Sequence, residues 1–88
     1  MNKQRRKALS DIANALRAID TETLRSDLET IRDEEQEYFD AMPESFQSGE
    51  KGSLAENAIG AMEEAIQYLE ELFEALENAA SAVDTAGE

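Results

Sequence analysis

Carboxylates dominate the side chains of this sequence that could do chemistry. Asp and Glu number 21 against 8 Lys and Arg, and cysteine, histidine and tryptophan are absent. Paired carboxylates can act as general acid and base, but one of them needs a pocket that raises its pKa. With acids this abundant no single pair stands out, and no enzymatic activity is expected. The lack of histidine removes the commonest general base and metal ligand. The lack of cysteine removes thiolate sites, disulfides and thiol nucleophiles. Asp33-Glu34-Glu35-Gln36-Glu37 lacks the alternation and central glycine of a calcium loop. Helical di-iron sites require Glu-x-x-His, and Gly49 and Gly52 mark a turn rather than a phosphate loop. No cofactor and no metal are expected.

Acids can also bind. Glu56, Glu63, Glu70, Glu77 and Asp84 recur every seven residues, and Glu64, Glu71 and Glu74 widen the stripe. On a helix these carboxylates stack on one face, each heptad advancing about 10.5 Å. Duplex DNA carries about one charge per 1.7 Å, and bundled helices would narrow the difference. Such a face could occupy the basic groove of a DNA-binding protein or nuclease. Equally, it could be a solvated surface that keeps a helical oligomer dispersed. The charge is unevenly placed: residues 1–32 hold seven basic and five acidic side chains, residues 33–88 one basic and sixteen acidic. A net charge of −13 repels nucleic acid and anionic lipid and attracts a basic protein surface. The basic start, Lys3-Gln4-Arg5-Arg6-Lys7, is read as a solubilising or self-pairing tail rather than a nucleic-acid arm.

The elements that position the acids are helices. Pro43, Ser45, Ser48, Gly49, Gly52 and Ser53 mark a connection over about 43–53, and Met42, preceding proline, is pushed out of helical geometry. On both sides the apolar period is helical, with no strand-like alternation. The first helix is expected over about 4–41 and the second over about 54–83, with a frayed C-terminal tail. Ser53 and Glu56 have the spacing of a capping box. Ala55, Ile59, Met62, Ile66, Leu69, Phe73, Leu76, Ala80 and Val83 then form a seam in steps of three and four. Ala58, Ala65, Leu72 and Ala79 flank it, with Ala61, Tyr68, Ala75 and Ala82 beyond. An arc of about four positions in seven is wider than one partner helix needs, so the second helix is expected to touch two neighbours.

In the first helix, Leu9, Ile12, Leu16 and Ile19 give one seam and Leu24, Leu28, Ile31, Tyr38 and Met42 another. The five-residue step from Ile19 to Leu24 interrupts the heptad at Asp20-Thr21-Glu22-Thr23. Either one long helix carries a local irregularity or it breaks and a new cap forms; the continuous helix is favoured. Glu35 falls where an apolar residue belongs. It could reach water by a slight rotation, act as a polar register device between subunits, or join a cation-binding cluster; the first is favoured.

Two helices joined by a short connection fold back as an antiparallel hairpin. Arg25 and Arg32 are seven apart, as are Glu63 and Glu70. One fold-back places Arg32 near Glu63 and Arg25 near Glu70, pairs that select register more than they stabilise. Lys3, Arg5, Arg6 and Lys7 then overhang, free to fray or to meet acids of a second copy. The expected fold is all-α: a single coiled-coil-like, two-helix hairpin domain over 1–88. Of the apolar 41%, 14 residues are alanine, and so small a core is marginal alone. Dimerisation into a four-helix bundle is therefore expected, with Ile31, Tyr38, Ile59, Met62, Ile66, Leu69, Leu72, Phe73 and Leu76 as its core and oligomer seam.

The stretch Ile31-Arg32-Asp33-Glu34-Glu35-Gln36-Glu37-Tyr38-Phe39-Asp40-Ala41-Met42-Pro43-Glu44-Ser45-Phe46-Gln47 resembles a group of small acidic phage and prophage proteins. Their layout is a basic start, an IRDEEQE run, an aromatic, a PES turn and a second helix rich in Glu, Ala and Leu. The resemblance implies a bacterial-virus context and raises host-takeover or anti-defence roles; it assigns no functional residue.

These observations lead to a non-enzymatic, phage-type interaction protein. Its acidic face, Glu56, Glu63, Glu64, Glu70, Glu71, Glu74 and Glu77, would bind and modulate a basic protein, as DNA mimics and anti-defence inhibitors do. The alternative is a structural or assembly factor acting through its own oligomer. No direct nucleic-acid or membrane contact is expected. The basic start lacks a following apolar stretch, and a cytoplasmic location is expected.

Overall fold

The computed structural model describes residues 1–88 and contains helices and no strand. Helix α1 spans Lys3–Arg17, α2 Glu22–Asp40, α3 Glu44–Gln47 and α4 Glu50–Ala86. Helices α1 and α2 form one arm of an antiparallel hairpin, α4 forms the other, and α3 makes the corner. The molecule is a rod of 69 × 15 × 13 Å. Its radius of gyration is 20.4 Å, where a compact chain of this length would have about 12 Å. No helix is long and apolar enough to cross a membrane.

The first arm is broken, which corrects the expectation of one helix over 4–41. Leu16 is half-buried and Thr21 fully buried against α4, five residues apart. In an uninterrupted helix five residues turn the chain about 140° past a whole number of turns. The seam of α2 would then face away from α4. Unwinding at residues 18–21 resets the rotation. Leu9 lies beside Gly87, and Thr21 lines a recess with Leu69 and Phe73. Asp20 closes the break: the Thr23 amide donates to Asp20 Oδ1 at 3.0 Å and the Thr23 hydroxyl to Oδ2 at 2.7 Å, satisfying first-turn donors of α2. Held first by the Thr23 hydroxyl, the Asp20 carboxyl lies below its ordinary pKa.

The corner is more structured than a plain connection. Pro43 ends the first arm, and α3 adds one turn. The Gln47 side-chain amide donates to the Phe39 carbonyl at 3.0 Å, beside the Met42 amide that donates to the same oxygen at 3.1 Å, and ties α3 to the end of α2. Helix α4 begins at Glu50, with Gly49 extended at its N-cap. Ser53 is already inside the helix, its amide donating to Gly49 O at 3.0 Å, so the Ser53–Glu56 capping box does not form. Gly52 permits the earlier start. A Cβ there would sit 1.9 Å from the Gln47 carbonyl oxygen, so only glycine lets this turn lie on the α3 backbone.

At both chain ends the helices extend further than expected. Asn2 Oδ1 accepts from the Arg5 amide at 2.8 Å and caps α1, and the basic segment from Lys3 is helical. Helix α4 runs past residue 83 to Ala86, where the Thr85 hydroxyl donates to Ser81 O at 3.1 Å.

The core is a single line of contacts. Seven residues are buried: Ala13, Thr21, Gly52, Ala55, Ile59, Ile66 and Ala80. Only two of them, Ile59 and Ile66, are large and apolar. Half-buried Leu9, Leu16, Leu28, Phe39, Met42, Met62, Leu69, Leu76 and Val83 complete the seam. Such a seam leaves a long chain with little of its apolar surface covered.

Candidate interaction surface

The seam of α4 follows the expected heptad from Ala55 through Val83, except that Phe73 is exposed, and Gly52 extends it by one step at the corner. That of α2 differs by one position. Thr21, Arg25, Leu28, Arg32, Glu35, Phe39 and Met42, in steps of four and three, are the residues turned toward α4. Leu24, Ile31 and Tyr38, expected in the core, are 58%, 53% and 53% exposed. Thr21 docked at the break and Phe39 and Met42 docked at the corner fix this rotation. Glu35 is half-buried on the seam.

Two arginines consequently occupy seam positions. Their alkyl stems cover apolar surface while their guanidinium groups reach the edge. Arg25 Nη1 lies 3.5 Å from Glu70 Oε1 and Arg32 Nη1 4.0 Å from Glu63 Oε1. Both pairs foreseen from spacing are thus formed, and with them the register. A third pair, Arg17 Nη2 to Asp84 Oδ2 at 2.7 Å, was not foreseen. Its signal was the continuation of the acidic heptad to Asp84. Asp84's hydrogen bond raises the Arg17 pKa, aided by the charges of Asp84 and Glu77. Arg25 is raised chiefly by the charge of Glu22 at 2.6 Å, and also by Glu29 and Glu70.

These contacts place Glu22 and Glu29 of α2 on the same flank of the hairpin as the acidic heptad of α4. Reversing one helix of a heptad pair brings like positions together, so residues that follow a seam position meet one another. Along this charged flank the acids are partly neutralised from within: Glu63, Glu70 and Asp84 have arginine partners, and half-buried Glu77 feels Arg17. Glu56, Glu64, Glu71 and Glu74 are exposed and form no ion pair, although Glu64 accepts from the Tyr68 hydroxyl at 3.2 Å. The candidate acidic face thus splits into an inner row that meets the first arm, with Glu56 at its unpaired corner end, and an outer row of Glu64, Glu71 and Glu74 that faces solvent. No three acidic side chains come together in a group that could hold a metal ion.

The other flank is apolar. Ile12, Leu24, Ile31 and Tyr38 immediately precede the seam residues Ala13, Arg25, Arg32 and Phe39, just as Ala58, Ala65, Leu72 and Ala79 precede Ile59, Ile66, Phe73 and Ala80. The register sets Tyr38 level with Ala58, Ile31 with Ala65 and Leu24 with Leu72. Exposure is high along this line: 50% at Ile12, 45% at Leu72 and 46% at Phe73. Tyr68, in the next row of α4, is 61% exposed. At the corner the flank ends in an open cleft of about 330 Å³ lined by Tyr38, Ala41, Met42, Pro43, Phe46 and Lys51, with the Lys51 ammonium 5.9 Å from the Phe46 ring centre.

No protein-family model matches the chain, and no curated protein or solved structure shows significant similarity to it.

Proposed function

We propose that this chain is a non-enzymatic interaction protein of phage type, which binds a basic protein through the outer acidic row of α4. The supporting observation is the separation of its two flanks. The apolar line and the acidic rows lie on different sides of one rod, so covering the first by dimerisation into a four-helix bundle leaves the second facing outward. Glu56, Glu64, Glu71 and Glu74 remain free for a partner. Glu63, Glu70 and Glu77 contribute field while holding the hairpin in register. A row of carboxylates along a narrow rod offers a basic groove the charge it ordinarily meets on a nucleic acid. Inhibition of a host DNA-binding protein or nuclease in the bacterial cytoplasm is the role that fits this surface.

A second reading has its own support. Only seven residues are buried, so an assembly factor whose function is its own helical oligomer is also consistent with the fold.

Capture from bacterial lysate separates the two. Under the first reading the chain retains a basic protein near physiological salt and releases it at molar salt, where charge attraction is screened. The variant Glu64→Gln, Glu71→Gln, Glu74→Gln keeps all three arginine pairs and should lose that partner. Capture that survives both treatments would contradict the proposal, and a salt-resistant self-assembly without any partner would favour the assembly factor.

A further inference from the structure

The apolar flank is unpartnered along the whole rod, and three observations identify what covers it. The first is area. The chain exposes 6353 Å², whereas a compact monomer of its mass would expose about 5,200 Å². The surplus of about 1,200 Å² exceeds the roughly 800 Å² that each partner gives to a stable interface. The second is position. Along α4, Leu24 is level with Leu72 and Tyr38 with Ala58, fourteen residues away. The Leu9–Gly87 contact sets Ile12 level with about residue 84, twelve residues to the other side. Leu24 and Leu72 therefore lie close to the midpoint of the apolar line. The third is charge. Around the corner, residues 33–56 hold eight acids and one lysine. At the open end, residues 1–17 and 77–88 hold five basic and four acidic side chains. Two copies side by side in the same direction would stack one acidic corner on another. Opposite directions bring the basic first turns of one copy to the acidic corner of the other.

We infer that the apolar flank is the contact surface of an antiparallel homodimer whose two-fold axis passes beside Leu24 and Leu72. Leu24 meets Leu24 of the second copy, and Ile12 of each meets Tyr38 of the other. The contact is isologous and closed, so it ends at two copies. Lys3, Arg5, Arg6 and Lys7 lie against the partner's corner, which gives the overhanging basic turns a role. The outer acidic row of α4 lies away from the contact. This inference rests on the reading of the chain as a dimer and adds its face and direction.

The chain has no cysteine, so single-cysteine variants at exposed positions report geometry without background. Leu24→Cys, Tyr38→Cys and Ile12→Cys would be treated with a short bifunctional maleimide, with circular dichroism to confirm folding and sedimentation to give the mass. Leu24→Cys should cross-link to itself. Tyr38→Cys alone should not, but an equimolar mixture of Tyr38→Cys and Ile12→Cys should give the mixed species. Self-cross-linking of Tyr38→Cys without the mixed species would mean parallel copies and overturn the inference. A dimer that cross-links at none of these sites would place the interface elsewhere and also overturn it. A monomer by sedimentation would remove both the inference and the dimeric reading beneath it.

Discussion

The two flanks of this hairpin are built on the same heptad and have opposite fates. On the charged flank, Arg17, Arg25 and Arg32 meet Asp84, Glu70 and Glu63 within one chain. On the apolar flank, Leu24, Ile31 and Tyr38 remain more than half exposed. Folding back once gives each of these three arginines an acid on α4, whereas it leaves the apolar flank uncovered. A two-helix rod buries one line of side chains, and any apolar position beside that line needs a third and fourth helix. The fold therefore matches charge within the hairpin and leaves its apolar flank uncovered, the surface proposed to dimerise.

The largest effect should come from placing a charge on the apolar flank. Leu24, 58% exposed in the single chain, can gain about 1–2 kcal/mol of burial in each copy, which Leu24→Glu removes. Across both copies the dimer should weaken by about 20-fold or more, measured by sedimentation. Glu64→Gln, on the outer acidic row, should leave dimerisation unchanged. If the two variants behave alike, the flanks are not functionally distinct.

A similar contrast runs along α4 between two glycines. Gly52 touches the α3 backbone, whereas nothing lies within 4 Å of a Cβ at Gly60. Gly52→Ala forces the corner to shift and should lower stability by about 1–3 kcal/mol. Gly60→Ala should raise it by about 1 kcal/mol through helix propensity alone. Urea unfolding reads both, and equal signs would contradict the packing at the corner.

The charged flank predicts smaller effects. Arg32→Glu and Glu63→Arg should each cost roughly 0.2–1 kcal/mol, and the double exchange should recover it. Costless single exchanges would leave the register without electrostatic support. The weakest effect lies at the break. Because the folded-state pKa of Asp20 is lowered, its contribution is fully present above the ordinary carboxylate range. It disappears as pH falls through the lowered value. Asp20→Asn should flatten that part of the acid-unfolding curve; an unchanged curve would show that the Thr23 contacts do not hold the break.

Much of this architecture is legible in the sequence, and what is not has identifiable causes. The seam of α4 and two ion pairs follow from unbroken heptads, because a uniform helix converts spacing into position without help from other elements. The first arm resists the same reading at one point. The five-residue step between Ile19 and Leu24 is visible, but whether a helix bends through it or breaks depends on the opposing helix. Only with α4 in place does the 140° error become costly. The choice between Ile31 and Arg32 as the seam residue fails for a related reason. Apolarity favours Ile31, whereas docking of Thr21, Phe39 and Met42 at the two ends of α2 turns Arg32 inward. Gly52 shows a third limit: as a turn residue it is expected, but its approach to the Gln47 backbone is a tertiary fact that no local pattern carries.

The division between a register-setting charged flank and an assembling apolar flank is tested most directly by the mass of the unmodified chain in solution. Sedimentation equilibrium at micromolar concentration should give twice the 9.8 kDa chain mass, and Leu24→Glu should give that mass once. A wild-type chain that sediments as a stable 9.8 kDa monomer would contradict it, because the exposed line from Ile12 to Tyr38 would then have no partner.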